Sequence, residues 1–504
     1  MNSSLLLGVA IAIAIGCASI LLPYFSDRNQ GLNEGCSLLP HRHFWLYSKR
    51  VLTPGGIMPA AVEINGGHIV SIVHQNKAPK QTKGAHVIDY GNAVIMPGLV
   101  DVHVHLNEPG RVEWEGFVTG TKAAAAGGFT TLIDMPLNSV PTTTSKEAFD
   151  MKVDAAKGRL FVDVGFWGGL VPENAFNNTA IDELLQAGAL GLKSFMCPSG
   201  INDFGQTNAS HIKEALRILA KYQRPLLVHA EIPQPSEDEK TKIDISERRM
   251  YSTYLRTRPP SWEEEAIKIL IAVSKDTHFD GSKDGAHIHI VHLSDSSVSL
   301  DLIKEAKESG ARLSVETCPH YLVFSAEEIS DGDTRFKCAP PIRDVLNRER
   351  LWKALKDGHI DMLSSDHSPS SPELKLLEAG DFLRAWGGIS SLQFGLPVTW
   401  SYGQQHGLQL DQLSELWSQR PAKLAGQHKK GNIVTGNDAD IVVWDPENDI
   451  QIGENYTIYH KHPITPYTGK HLFGSVIATF VRGNMVYENG SHASTACGVP
   501  ILAI

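Results

Sequence analysis

The chain has 504 residues, 42% of them hydrophobic and 20% charged, a globular composition that excludes a disordered or low-complexity protein. Its formal charge of −10, with no run of Lys or Arg interleaved with aromatics, argues against a nucleic-acid partner. Six cysteines are scattered from Cys17 to Cys497 without a C-x-x-C pair; that excludes a zinc knuckle and a dense disulfide framework, leaving most of them as free thiols or small core residues.

In chain order, the first feature is the uncharged apolar run from Leu5 to Leu22. As a helix rising about 1.5 Å per residue it reaches roughly 27 Å, just short of a hydrocarbon core ~30 Å thick. Gly16, Cys17, Ala18 and Ser19 within it offer a cleavage site. Residues 1–30 are therefore expected to be a cleaved signal peptide or an uncleaved anchor in contact with a membrane. Either directs the chain to the secretory pathway, with the endoplasmic reticulum as the expected compartment. Entry there makes the N-x-S/T sequons at Asn177, Asn208, Asn455 and Asn489 available for glycosylation.

From His43 to Val73, strand-like alternation is broken by Asn-Gly and Gly-Gly dipeptides, the mark of hairpins. A matching pattern returns near the C-terminus in ADIVVWDP and SVIATFVRGNMVYENG. Residues 43–93 and 430–490 are thus predicted to form one small β-sandwich domain from both chain ends. Between them, residues 94–429 alternate apolar runs with helical stretches such as ALRILAKY and EEEAIKILIAV. The runs are AVIMPGLVDVHVH, TTLIDMP, LFVDVGFWGG, LGLKSFM, PLLVHAE, HIHIVHLS, RLSVETC and HIDMLSSDH. This pattern predicts an α/β fold, a (β/α)₈ barrel, whose chemistry sits at the C-terminal ends of the strands.

The first of these runs ends at His103 and His105, and a period of two puts both rings on one face. Paired imidazoles suit Zn²⁺ and related ions, although H-x-H alone arises often by chance. His229, His292 and Asp366 occupy the same height at three other strand ends. His287 and His289 lie at odd offsets from His292 and are expected to face the helix layer as packed or surface histidines. His367, next to Asp366, is expected to point away. Lys193, flanked by Leu192 and Phe195, is costly to bury as a bare cation. Two readings of it stay open: a snorkelling lysine, or an amine carbamylated by CO₂ into a carboxylate that bridges two metals.

Together these segments resemble the cyclic amidohydrolases, the family of dihydroorotases, hydantoinases or dihydropyrimidinases, and allantoinases. The likeness runs from about residue 45 to 490 and is carried by PGLVDVHVHLNEPG, DMPLNSVP, GLKSFM, LLVHAE, HIVHLSD, VETCPHYL, KCAPPIR and SSDHSP. It implies a hydrolase with two divalent ions per subunit. His103, His105 and Asp366 would hold one and His229 and His292 the other, with N6-carboxylated Lys193 and a hydroxide between them. Zn is the expected metal, and Mn, Co or Fe also suit such ligands. The resemblance further implies that Asp366 is the catalytic base and that the chain forms a homotetramer.

Two departures narrow the substrate. Dihydroorotases carry Arg two residues after the second histidine; here Asn107 stands there and cannot offer a carboxylate the charged fork of a guanidinium. Hydantoinases place Tyr just beyond the lysine, where this chain has Met196, Cys197 and Pro198. With Leu137-Asn138 in DMPLNSVP, the likeness points to the allantoinase branch, and the apolar N-terminus with its sequons resembles the plant form. The implied substrate is the neutral ring of allantoin, opened to allantoate in purine catabolism. A hydantoinase or dihydropyrimidinase activity, or a non-catalytic scaffold of the same fold, are the alternatives. Asn107, Asn138, Cys318, Ala339 and Ser368 are the expected substrate contacts. Glu231 and Arg343 either orient ligands or loops, or form plain salt bridges.

Overall fold

The computed structural model describes residues 35–80, 85–234, 244–276 and 286–503. The expectations placed on residues 1–30 lie outside these, and among the described residues no helix is long and apolar enough to cross a membrane. The N-terminal strands are β1 (His43–Thr53), β2 (Gly56–Asn65), β3 (His68–His74), β4 (His86–Asp89) and β5 (Val94–Pro97). The middle of the chain carries β6 (Leu99–Val104), β7 (Phe129–Asp134), β8 (Asp163–Phe166), β9 (Gly168–Gly169), β10 (Leu192–Phe195), β11 (Leu226–His229), β12 (Ile288–Ile290), β13 (Leu313–Thr317) and β14 (Met362–Leu363). Towards the end come β15 (Ile441–Gln451), β16 (His471–Val481), β17 (Asn484–Glu488), β18 (Ser491–His492) and β19 (Pro500–Ile501).

Both chain ends meet in one nine-stranded mixed sheet, ordered β18-β17-β16-β15-β5-β1-β2-β3 with β4 on β1. The join is the antiparallel pair of β15 with β5, from Ile441 opposite Pro97 to Trp444 opposite Val94. Alternating inward residues, among them Phe44, Leu46, Val62, Ile95, Ile441 and Phe480, form its core.

The middle strands are parallel and form two arcs, β14-β13-β12-β11-β10-β9 and β19-β8-β7-β6. Except for the half-buried β19, they are buried along their whole length, as parallel strands covered on both faces must be. Backbone bonds cross both gaps between the arcs. Leu190 N donates to Phe166 O at 3.0 Å, and His105 N donates to His367 O at 2.8 Å. Helices fill the connections for local reasons. In Ala209–Tyr222, Asn208 caps the first turn by accepting from the Ser210 and His211 amides, while Ile212, Ala215, Leu216 and Leu219 recur at helical spacing on the buried face.

Three features differ from the sequence reading. Cys36 and Cys497 form a disulfide with Cα atoms 5.2 Å apart, while Cys197, Cys318 and Cys338 are free and buried. The bridged pair is separated by 461 residues, so no local spacing announces it. The final strand, β19, leaves the terminal sheet to pair with β8. Lastly, His289 does not face the helix layer. In register it aligns with Leu227 and Ser314, and Leu227 with Lys193. Paired residues of parallel strands share a face, so His289 lies on the side of Lys193.

Candidate metal centre

The strand ends bring the six predicted ligands together. Asp366 follows β14, and its Oδ1 lies 3.3 Å from His103 Nε2 and 3.5 Å from His105 Nε2. Across the site, His292 Nε2 is 2.9 Å from His229 Nδ1. The rings of His103 and His292, 5.3 Å apart, connect the two groups. Lys193 is fully buried, and its Nζ has no hydrogen-bond partner among the described residues. His292 and Asp366 both adopt left-handed backbone, with φ of 40° and 43°. For residues other than Gly or Asn this costs on the order of 1–3 kcal/mol and marks positions the surrounding structure holds in place.

Carboxylates behind the rings set which nitrogens face inward. Glu316 Oε1 accepts from His103 Nδ1 at 2.6 Å, and its Oε2 pairs with His289 Nε2 at 3.0 Å. Glu231 Oε2 accepts from His229 Nε2 at 2.6 Å and also binds Arg258. A proton held on the outer nitrogen leaves His103 Nε2 and His229 Nδ1 as lone-pair donors directed into the cluster, the arrangement that orients histidine ligands of metals.

The electrostatics agree. Burial pulls His229 down to about 4 and His292 well below the usual imidazole range, so both rings are neutral. It raises Asp366, but the imidazoles of His103 and His105 outweigh it and hold the carboxylate at about 2. Burial likewise opposes ionisation of Glu231, yet Arg258 and His229 bring it to about 2. Lys193 is pulled down to about 7 by burial, against the opposing pull of Glu316 and Asp366. Neutral imidazoles, an ionised carboxylate and an orphaned buried amine are a donor set that fits divalent metals.

The cluster forms the floor of a cavity of about 380 Å³. Asn138, Ala339 and Ser368 stand in its wall, with Asn138 Nδ2 3.5 Å from His105 Nδ1. Two other expected contacts are not part of that wall. Asn107, at φ 63°, turns its amide under the neighbouring loop and donates to Pro369 O at 3.3 Å. Cys318 is buried with its Sγ 3.7 Å from Ser364 Oγ. Glu231 holds the ring of His229, whereas Arg343 is buried against Glu263 at 2.6 Å. His367 points away, pairing with Glu115 at 3.1 Å. Sequence reasoning missed Glu316, Arg258 and the cavity-lining segment from Leu383 to Gly388. Glu316 had a signal, since it lies in VETCPHYL three residues before Pro319; Arg258 sits in a connection with no motif.

An amidohydrolase family model matches residues 94–486, and a model of the allantoinase composite domain matches residues 39–93. The chain belongs to the amidohydrolase family. Among curated relatives it is 61% identical to allantoinase of Arabidopsis thaliana, over 94% of each chain. It is 60% identical to a probable allantoinase of Oryza sativa subsp. japonica, over 98% of this chain and 97% of the relative. The L-hydantoinase of Arthrobacter aurescens superposes with a TM-score of 0.80 at 28% identity, over 91% of this chain and 99% of the enzyme.

Proposed function

We propose that this protein is a metal-dependent allantoinase that opens the hydantoin ring of allantoin to allantoate. The observation that carries the chemistry is the buried, unpartnered Lys193 amine amid four histidines and Asp366. The substrate rests on the near-full-length similarity to allantoinases.

His103, His105 and Asp366 would hold one divalent ion and His229 and His292 the other, Zn first and Mn, Co or Fe as alternatives. Lys193 would touch both as a carbamate. Its neutral amine adds to CO₂, forming an N–C bond and losing one proton. When bound, the ions lower the pKa of water towards about 7 and polarise the ring carbonyl. Asp366, kept ionised by its imidazole neighbours, takes the proton of the water that adds to the carbonyl carbon. As the ring C–N bond breaks, it returns that proton to the leaving nitrogen. Asn138, Ala339 and Ser368 stand where the ring is held.

The same reading covers the architecture. The two parallel arcs close into a (β/α)₈ barrel within residues 94–429, supported by the bonds at His367 and Phe166, and the companion β domain takes residues 43–93 and 430–490 together with β5, Val94–Pro97. The Cys36–Cys497 bridge supports passage through an oxidising compartment such as the endoplasmic reticulum, and Asn177, Asn208, Asn455 and Asn489 are all exposed. The resemblance to the cyclic amidohydrolases implies a homotetramer as the assembly.

The test is turnover of allantoin, dihydrouracil and dihydroorotate by wild type and Asp366→Ala, with bound metals counted in each. Allantoin should be preferred, with about two ions per chain in the wild type. Preferred turnover of dihydrouracil would overturn the assignment.

A further inference from the structure

Two lysines without a part in that chemistry, Lys337 and Lys375, lie 9% and 3% exposed. Among the described residues, the one carboxylate acting on Lys337 is Asp381, opposed by Arg258, and none acts on Lys375. Their donors converge instead on a single stretch of backbone. Lys337 Nζ donates to Leu383 O at 3.1 Å and to Ala385 O at 2.6 Å. Lys375 Nζ donates to Trp386 O at 3.3 Å and to Gly388 O.

The main chain around the lysines ties down the same stretch. Gly388 N donates to Lys337 O, and Trp386 N to Leu374 O, both at 2.8 Å. This stretch lines the cavity above the candidate ligands, and it has no slack. At Gly388, with φ +130°, a β-carbon would stand 2.1 Å from Ser368 O, so only glycine permits this approach to another residue of the cavity wall. Two lysines that merely took the nearest acceptors would scatter their bonds. Here all four carbonyls belong to residues 383–388.

We propose that Lys337 and Lys375 are positioning residues for substrate recognition, holding the 383–388 segment as a rigid wall against which the cyclic amide is oriented. Cavity-lining loops are ordinarily the mobile part of a site, and hydrogen bonds from two buried amines to four carbonyls remove that mobility. The inference rests on the hydrolytic reading of the site but not on the identity of its substrate.

The experiment compares Lys375→Met and Lys337→Met in the full-length, metal-loaded protein, with exposed Lys353→Met as control. Each site variant should raise KM for allantoin by about tenfold, the worth of a lost hydrogen bond, while kcat stays within about threefold and metal content is unchanged. Amide hydrogen exchange at residues 383–388 should quicken by about tenfold or more in the substrate-free protein. Lys375→Gln and Lys337→Gln, which keep a neutral donor, should fall between wild type and the methionine variants and serve if those fail to fold. Unchanged exchange and KM in folded variants overturns the proposal, as does lost metal with lower kcat at constant KM. Exchange is read without substrate, so a wild type inert towards allantoin counts against the proposed substrate alone.

Discussion

Lys193 and Lys430 are both nearly sealed from solvent, yet their surroundings are opposite. Lys430, between the terminal sheet and β8, meets Asp440 at 2.5 Å and Asp163 at 2.9 Å, and Arg482 closes the network 3.0 Å from Asp163. Burial alone would lower its pKa, but the two carboxylates push it above the ordinary lysine value. Lys193 faces histidines, has no hydrogen-bond partner among the described residues and is lowered to about 7. A buried cation whose partners are complete is joining two layers of structure. One left without them gives up its proton more easily, and the neutral amine is the nucleophilic form of lysine.

That contrast can be broken most forcefully at Lys193. Lys193→Ala should lower allantoin turnover by on the order of 10⁴-fold or more through loss of metals, with little change in thermal melting of the metal-free protein. A variant that kept two ions and full rate would end the argument. Lys430→Met should do the reverse. Stranding Asp440 as a buried charge without an ion-pair partner, with Asp163 left to Arg482 alone, costs roughly 3–5 kcal/mol, readable by urea denaturation, while kcat per folded molecule is retained. Glu316→Gln sharpens the comparison from within the metal centre. Loss of the charged partner of His103 should weaken metal affinity by roughly 10- to 100-fold, measured by competition with a chelator, and spare the fold. The smallest effect is expected at the surface pair of Lys353 and Asp357, where Asp357→Asn should move neither melting temperature nor turnover.

Much of the candidate site was legible because its signals are local. His103 and His105 follow from strand periodicity, and His229, His292 and Asp366 from their places at strand ends. The composite sheet was legible from matching hairpin patterns at both ends. Long-range pairings were not. The disulfide between Cys36 and Cys497, the double contact of Glu316 with His103 and His289, and Arg258 behind Glu231 each join residues that no local spacing relates. Asn107 shows the limit from the other side. Its place in the motif is informative, but a left-handed backbone carries its side chain to Pro369 and out of the cavity wall.

By itself, the sequence determined the alternation of strand and helix, the inward row of ligands and the membership of the family, because periodicity and motif are properties of neighbouring residues. Tertiary structure alone decided which buried polar groups are satisfied. Desolvation and pairing depend on what distant segments bring to a side chain. Asp163 and Asp440 therefore make one lysine a strut, while the absence of any hydrogen-bond partner among the described residues leaves another a buried amine that loses its proton easily.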